Sequence, residues 1–451
     1  MGVNSNEVLD PRMEEGRLKG LVSDILDEAR KQGADGCEVG VSLDAGLSAS
    51  VRMGEVETVE FNRDQGFGIT VYLGQKKGSA STSDSTAGAI KDAVKAACNI
   101  ARYASEDPCA GLADAELMAK NLPDLDLYHP WDISAEEAIE LAKTCEDAGR
   151  GYSDQIVNSD GTHTSSHKGC RVYGNSHGFI GSYVSSRHSI SSVLIARQGE
   201  EMQRDYWYTL GRAASALESA EQVGQKAAER TLSRLGGRKV ETGKAPVLFA
   251  PEMASGLISH FLGAISGGSL YRQSSFLLDH LGKQVFPEWL RIHEQPLLKG
   301  GLGSASFDND GLGTRAKDFI NEGILRNYIL STYSARKLGM QSTANAGGVN
   351  NLFVESNAGG QQALLKKMGT GLLVTELMGQ GVNLVTGDYS RGAGGFWVEN
   401  GEIQYPVSEV TIAGNLKDIF MGIVAVGNDV DKRGNIETGS ILVDEMALAG
   451  S

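Results

Sequence analysis

The sequence contains little proline, little cysteine and no long hydrophobic run. Its 451 residues include 9 prolines and 5 cysteines. A membrane-spanning helix needs about 20 consecutive apolar residues, and no such stretch occurs. The first thirty residues carry Asp10, Glu14 and Glu15 where a signal peptide would have an apolar segment. We therefore expect a cytoplasmic protein that does not bind membranes.

Basic clusters and paired cysteines are also missing. The chain has 42 Lys and Arg against 57 Asp and Glu, a net charge of −15, and its pI is about 5.1. Such an acidic surface repels the phosphate backbone of nucleic acids, so we expect no direct nucleic-acid partner. The cysteines are odd in number and form no C-x-x-C pair, which argues against a disulfide framework.

Glycine, in contrast, is abundant. The chain has 58 glycines, nearly double the usual share of about 7%. Because 41% of the residues are apolar and only 22% are charged, the chain can bury a large core and is neither a fibre nor a disordered linker. The glycines predict many hairpins and tight turns, arranged around a cavity.

The N-terminal half shows both helical and strand patterns. Apolar spacing predicts a helix over 14–32, and Ser134 with Glu137 forms a capping box for another that ends near Gly149. A further helix is predicted from the 83–85 cluster to 101, and a long one over 213–235. The predicted strands alternate apolar and polar residues; they cover 37–43, 47–53, 55–61, 68–73, 169–173, 179–185, 189–197 and 202–208.

Gly236-Gly237 predicts a domain boundary, and it divides the chain into 1–237 and 238–451. Beyond it, a strand is predicted over 246–250, a helix over 252–265, and a type I′ hairpin at Asn400-Gly401. The predicted fold is α+β. An antiparallel sheet with flanking helices forms the N-terminal half, and a large, glycine-rich, mostly antiparallel β domain with few helices forms the C-terminal half.

Four local patterns suggest chemistry, and each has a simpler interpretation. Ser176 lies in a G-x-S-x-G pattern, but a strand follows where a nucleophile elbow needs a helix, which favours a hairpin turn. His163 and His167, with Cys170, His177 and His188 downstream, could offer zinc ligands, although nothing in their spacing requires convergence.

The other two patterns are incomplete. His293-Glu294 resembles the start of a zinc-binding helix, but the second histidine is missing and Pro296 would break that helix. Asp308-Asn309-Asp310-Gly311 resembles the opening of a calcium loop, but its twelfth position is Phe319 instead of glutamate. A turn between two strands is the simpler interpretation.

Four longer segments resemble the TldD/PmbA family, formerly called modulators of DNA gyrase, and most closely its PmbA (TldE) branch. The resemblance covers essentially the whole chain, and its segments are 55–73, 171–188, 246–268 and 387–414, the last containing GDYSRGAGGFWVENG. It implies a cytosolic bacterial metallopeptidase system in which TldD and TldE form a heterodimer around a cavity. Unfolded peptides enter that cavity and are cleaved at a metal site. Family roles include maturation of a microcin precursor and turnover of a plasmid antitoxin.

This sequence departs from the HExxxH motif of TldD. His260 matches the first histidine, but Phe261 and Ile265 stand in place of the catalytic glutamate and the second histidine, and no cysteine follows Cys170. One imidazole cannot assemble a catalytic zinc site. The resemblance therefore implies no catalytic residue and no metal in this chain, with His260 as a remnant or a buried histidine, and it places the zinc in a TldD-like partner.

The segment 387–396 has two interpretations. Its glycines permit sharp turns, and Tyr389, Ser390 and Arg391 could line a cleft, together with His260, that contacts substrate or partner. The leading hypothesis is a non-catalytic subunit of a TldD-type peptidase. The alternatives are a self-sufficient hydrolase using Ser176 or the histidines, a client-binding adaptor without a protease chamber, and a homodimer when the partner is absent.

Overall fold

The computed structural model describes residues 10–450, so the ends of the two predicted domains, 1–9 and 451, lie outside the described part. The chain divides into two compact units. The first runs to Ala196 and adds Arg204–Thr231 and Ser306–Thr314. The second comprises Arg197–Gln203, Leu232–Ala305 and Arg315–Ser451. The domain boundary after 237 stays a prediction.

The first unit is built on a six-stranded antiparallel sheet with the strand order β3-β2-β1-β4-β5-β6. Apolar residues of α1 and α2 pack against one face of this sheet, where Val39 and Val41 of β1 are buried. The strands are β1 (Gly36–Arg52), β2 (Glu55–Leu73), β3 (Lys76–Thr82), β4 (Ile156–Asn175), β5 (Ile180–Gln198) and β6 (Glu201–Gly211). The helices are α1 (Pro11–Lys31), α2 (Ala87–Tyr103), α3 (Ala135–Arg150) and α4 (Ala220–Ser233).

The strands of this sheet are longer than the sequence pattern predicted. The predicted strands 37–43 and 47–53 are one strand, β1, and 55–61 and 68–73 are one strand, β2. Their pairing continues through the polar residues that indicated turns, with Asp44 opposite Asp64 and Gly46 opposite Asn62. Cross-strand pairing therefore overrides local turn preference here.

Side-chain caps set the helix ends in the first unit. The capping box of Ser134 and Glu137 is present at the start of α3, as predicted. The helix predicted from residue 213 begins only at Ala220, which corrects that prediction. Ser219 accepts a hydrogen bond from the Gln222 backbone N–H at 3.3 Å, and the Gln222 side chain accepts one from the Ser219 N–H at 3.1 Å. This reciprocal cap defines the first turn of the helix.

The second unit contains a five-stranded sheet, β10-β9-β8-β11-β16, and a six-stranded sheet, β14-β13-β12-β7-β17-β15. Two pairings, β7 with β12 and β11 with β16, are parallel. Its strands are β7 (Gly243–Phe249), β8 (Ile292–Glu294), β9 (Lys317–Asn321), β10 (Ile324–Leu325), β11 (Leu352–Val354), β12 (Gly371–Met378), β13 (Asp388–Glu399), β14 (Glu402–Asn415), β15 (Ile423–Val426), β16 (Ile436–Glu437) and β17 (Ile441–Ala449). Its helices are α5 (Pro251–Ala264), α6 (Gly267–Tyr271), α7 (Thr332–Lys337), α8 (Gln361–Met368) and α9 (Leu416–Met421).

The predicted fold class is confirmed: the chain is α+β, and its C-terminal half is β-rich with short helices. The hairpin between β13 and β14 is also confirmed, since Asn400 and Gly401 have φ angles of 53° and 77°, as a type I′ turn requires. Among residues 10–450, no helix is long and apolar enough to span a membrane.

Candidate functional site

Helix α5 carries the residues that align with the zinc-binding motif of TldD. Pro251 occupies its first turn, where the missing N–H of proline costs no helical hydrogen bond. Leu257, Ile258 and Phe261 are fully or almost fully buried and hold the helix against the core of the second unit. His260 is partly buried.

The two residues that replace the glutamate and the second histidine belong to this core. Phe261 and Ile265 lie one helical turn apart, and both have no exposed surface. The Phe261 ring packs edge-on against Phe286 and Phe420, with centroid distances of 5.1 and 6.1 Å. Both positions therefore hold apolar side chains that pack in the core, where a zinc site would need polar ligands.

The segment 387–396 does not form the sharp turns that its glycines permit, because it lies almost entirely in strand β13. β13 pairs with β12 on one side and β14 on the other. The glycines allow this pairing. A Cβ atom at Gly395 would overlap the carbonyl oxygen of Leu373 on β12. Glycine in a strand interior commonly marks such a close approach of two backbones.

Three of the four predicted cleft residues come together. Tyr389 is only 2% exposed, and its ring meets that of His260 at a centroid distance of 5.9 Å and an angle of 70°. Arg391 lies two residues further along β13, on the same face of the strand. Ser390 points to the opposite face and is exposed, so the structure does not bring it into this group. We call His260, Tyr389 and Arg391 the His260 cluster.

Burial and one positive charge shape the electrostatics of the His260 cluster. Burial, and then the charge of Arg391, lowers the pKa of His260, which favours a neutral imidazole at pH 7. Burial raises the pKa of Tyr389 to about 12, although the neighbouring Arg391 side chain acts in the opposite direction, so its phenol is protonated. Each residue therefore carries at least one N–H or O–H donor, and the cluster has a net positive charge.

Three buried atoms of the His260 cluster make no hydrogen bond of normal geometry within residues 10–450. They are His260 Nε2, the Tyr389 hydroxyl oxygen and Arg391 Nε. Most buried polar groups in folded proteins are hydrogen-bonded. Three unsatisfied atoms in neighbouring side chains are consistent with a site that binds a polar or anionic group.

These side chains do not fit a catalytic zinc ion. Zinc requires three or four nitrogen, sulfur or carboxylate ligands, and the cluster offers one imidazole beside a guanidinium whose charge opposes a cation. In the part of the chain that the structure describes, no three His, Cys, Asp or Glu side chains are grouped as a metal site would need.

The hairpin interpretation of Ser176 is confirmed. Ser176 lies in the turn between β4 and β5. Its hydroxyl accepts a hydrogen bond from the Cys37 N–H at 2.9 Å, and its own N–H donates to the Cys37 carbonyl at 2.9 Å. The serine therefore anchors the turn to the start of β1, and β5, not a helix, follows it.

The predicted histidine group does not converge. His163 is exposed on β4, and Cys170 is buried on the face of the sheet covered by helices. The other three make separate local hydrogen bonds: His167 with the Ser48 hydroxyl at 3.3 Å, His177 with the Ala113 carbonyl at 3.0 Å and His188 with the His129 carbonyl at 2.9 Å.

The remaining two patterns are structural. Asp308 accepts hydrogen bonds from the backbone N–H groups of Asp310 and Leu312 at 3.0 and 2.9 Å, so this segment is a tight turn, as the simpler interpretation predicted. His293-Glu294 ends the short strand β8 and is not helical. It therefore lacks the geometry of a zinc-binding helix.

Glu294 has a role that the sequence analysis missed. It is completely buried, and its carboxylate receives the Lys317 ammonium at 2.8 Å and the Asn350 backbone N–H at 2.6 Å. The Asn345 amide donates to both carboxylate oxygens, at 3.1 and 3.2 Å. These partners lie 23 to 56 residues away in the sequence, so no local spacing signals them. The only sequence hint is that Glu294 stands two residues after Ile292, so that both fall on the same face of a short strand.

Comparisons with known proteins place this architecture in a family. Three family models match: PmbA/TldA metallopeptidase domain 1 over residues 37–101, the central domain over 128–235 and the C-terminal domain over 242–450. The metalloprotease PmbA of Escherichia coli O157:H7 is 55% identical over 433 residues, which cover 96% of each chain.

Solved structures agree with these matches. A crystal structure of a proposed modulator of DNA gyrase from Bacteroides thetaiotaomicron has a TM-score of 0.92 and 28% identity, and covers 97% of this chain and 100% of that one. TldE from Thermococcus kodakarensis shares the fold, with a TM-score of 0.82, 20% identity and coverage of 95% and 100%. The chain belongs to the PmbA/TldD family of metallopeptidases.

Proposed function

We propose that this chain is the non-catalytic subunit of a cytoplasmic, TldD/TldE-type heterodimeric metallopeptidase that cleaves unfolded peptides. By resemblance, such substrates include a microcin precursor and a plasmid antitoxin. The zinc ion would reside in the TldD-like partner. The observation that carries the proposal is the apolar burial of Phe261 and Ile265, which leaves His260 as a single ligand on the motif helix.

The His260 cluster would then contact substrate or partner instead of metal. Its three unsatisfied polar atoms and the charge of Arg391 suit an anionic group, such as a peptide carboxylate. Replacement of Arg391 by Met should lower peptide cleavage by the mixed complex. Ser390→Ala is the matched control, because Ser390 is a neighbour on the exposed face of the same strand.

A mixing experiment tests the main proposal. The purified chain, the TldD-like partner and their mixture are assayed for cleavage of an unfolded peptide, and the zinc content of each is measured. We expect cleavage by the mixture, zinc in the partner and neither property in this chain. Zinc-dependent cleavage by the single chain, with stoichiometric zinc, would contradict the proposal.

The other two functions predict different results. A self-sufficient hydrolase should lose activity in Ser176→Ala, whereas the hydrogen bond of Ser176 to Cys37 predicts only a structural effect. An adaptor without a protease chamber should form no stable heterodimer. Light scattering of the mixture distinguishes such an adaptor from the proposed subunit. Light scattering of the chain alone reveals any homodimer.

A further inference from the structure

A cavity of about 970 Å³ lies in the first unit, against the sheet face opposite α1 and α2. Along β1, Val39 and Val41 face those helices, so Glu38, Gly40 and Ser42 face the cavity. Residues 308–310, which form the tight turn described above, also line this cavity.

The floor of the cavity is made of glycines that the fold itself does not require. Gly40 pairs directly with Gly68 on β2, and Gly66 pairs with Ser42. None of these three glycines has a positive φ angle. A Cβ atom at Gly40 would meet nothing within 4 Å, and at Gly66 and Gly68 the nearest atoms would be at ordinary distances of 3.7 and 3.9 Å. Glycine in a strand interior commonly marks the close approach of a ligand.

A carboxylate lies at one end of this floor. Glu38 accepts hydrogen bonds from the hydroxyl groups of Tyr72 at 2.8 Å and Tyr173 at 3.0 Å. Burial raises its pKa, and the nearby Asp310 carboxylate acts in the same direction. The hydrogen bonds from the two tyrosines and the charge of Lys77 act in the opposite direction and lower the pKa of Glu38. Two carboxyl groups, those of Glu38 and Asp310, therefore line this end of the cavity, and a bound cation would stabilise their charged forms.

Aromatic side chains form the wall beside Glu38. Phe307 packs against Tyr173, Tyr183 and Phe179, with ring-centroid distances of 6.5, 5.9 and 5.4 Å. Phe307 and the two tyrosines line the cavity. Aromatic faces attract organic cations. Asp310, in the turn that follows Phe307, adds a second carboxylate to the lining.

The single arginine of the lining is distant from Glu38. Arg171 pairs with Ser42, four residues along β1, which corresponds to about 13 Å at the usual rise of a strand. Its charge therefore lies towards the other end of the floor, where it can hold a carboxyl group of an extended ligand.

We propose that this cavity binds the cationic group of a peptide, either an α-amine or a basic side chain. Glu38 and Asp310 receive the charge, the aromatic wall contacts the apolar stem, and the bare floor of Gly40, Gly66 and Gly68 admits the peptide main chain. The inference goes beyond the proposed function, because it concerns the first unit and requires neither zinc nor a partner subunit.

Calorimetric titration of the purified full-length chain tests it with three tetrapeptide amides. One is acetyl-Gly-Gly-Arg-Gly, one is Gly-Gly-Gln-Gly with a free α-amine, and one is the acetylated, neutral Gly-Gly-Gln-Gly. We expect at least one charged peptide to bind about tenfold or more tighter than the neutral one, as for a hydrogen bond to a charged group. The first two peptides distinguish the side chain from the α-amine.

Two variants locate the site. Glu38→Gln should abolish the preference for charge, whereas Glu60→Gln, an exposed carboxylate elsewhere on β2, should preserve it. Gly40→Leu should block all binding without unfolding the chain, because its Cβ atom meets open space; circular dichroism checks the fold. Equal affinity for all three peptides, or unchanged binding by Glu38→Gln, would overturn the proposal. Neither outcome depends on peptidase activity.

Discussion

Two polar clusters in the second unit differ in how well they are satisfied. Around Glu294, both carboxylate oxygens receive donors from Lys317, Asn345 and Asn350, and the group is completely buried. In the His260 cluster, by contrast, one buried atom of each of the three side chains has no partner among residues 10–450.

The difference separates a structural role from a binding role. A buried polar group without a partner costs about 1–3 kcal/mol, whereas a complete network offsets much of its desolvation. The Glu294 network therefore needs nothing outside the chain. The His260 cluster has no such network, and this contrast supports the proposal that the cluster contacts substrate or partner.

The largest expected effect on stability comes from placing the glutamate of the HExxxH motif at position 261, next to His260 in the sequence. In Phe261→Glu, the chain loses aromatic packing worth about 3–5 kcal/mol and must also bury a carboxyl group. We expect unfolding at much lower urea concentration and no gain of stoichiometric zinc. Phe261→Leu, which stays apolar, is the control and should cost clearly less. Equal stability of the two variants would show that position 261 is not in the core.

The next largest effect comes from breaking the satisfied cluster. Glu294→Ala leaves the Lys317 ammonium buried without its carboxylate, and such a loss typically costs about 3–5 kcal/mol. Urea unfolding of the second unit should reveal it. The double variant Glu294→Leu with Lys317→Met removes both charges, and we expect it to recover much of the stability. A single variant as stable as the double one would contradict the role of this pair.

The two clusters also differ in how far the sequence could predict them. His260 lies in one continuous segment of sequence, and Tyr389 and Arg391 lie in another. Each segment resembles a known family, so the sequence alone singles out these residues. The partners of Glu294 come from separate segments, and only the fold brings them together. Local patterns cannot report such contacts, because they depend on the sheet that joins β8 and β9.

In the first unit, local sequence patterns likewise fail to predict the extent of the strands and the pairing of the glycines. Gly46 and the polar residues near Asn62 look like turn signals, yet they pair across the β1–β2 ladder. Gly40 and Gly68 look like isolated strand glycines until their direct pairing places them side by side. The helices were easier to predict, since the period of α1 and the capping box of α3 are local signals.

A smaller effect would sharpen the interpretation of the unsatisfied cluster. Tyr389→Phe removes a buried hydroxyl that has no partner in the described chain, so we expect the isolated chain to be unchanged or up to about 1 kcal/mol more stable. Cleavage by the mixed complex should nevertheless fall. Thermal unfolding and a peptidase assay measure the two effects. A clear loss of stability in the isolated variant would mean that the hydroxyl is satisfied without a ligand.

The smallest expected effect is the pH dependence of stability that comes from His260. Because its pKa is lower in the folded chain than in the unfolded chain, the unfolded state binds its proton first as the pH falls. The stabilising contribution of the neutral imidazole is therefore complete above about pH 6.5, and it is lost as the pH decreases towards the folded pKa. Buried His188 and partly buried His293 act in the same direction.

Urea unfolding at pH 7.5 and 5.5 isolates the contribution of His260. We expect His260→Gln to lose less stability between these pH values than the unmodified chain. His163→Gln, which changes an exposed histidine, should behave like the unmodified chain. Arg391→Met should also reduce the pH dependence, because the arginine charge is the second cause of the shift. An equal loss of stability in all four proteins would contradict this expectation. It would mean that His260 gains its proton as easily in the folded chain as in the unfolded one.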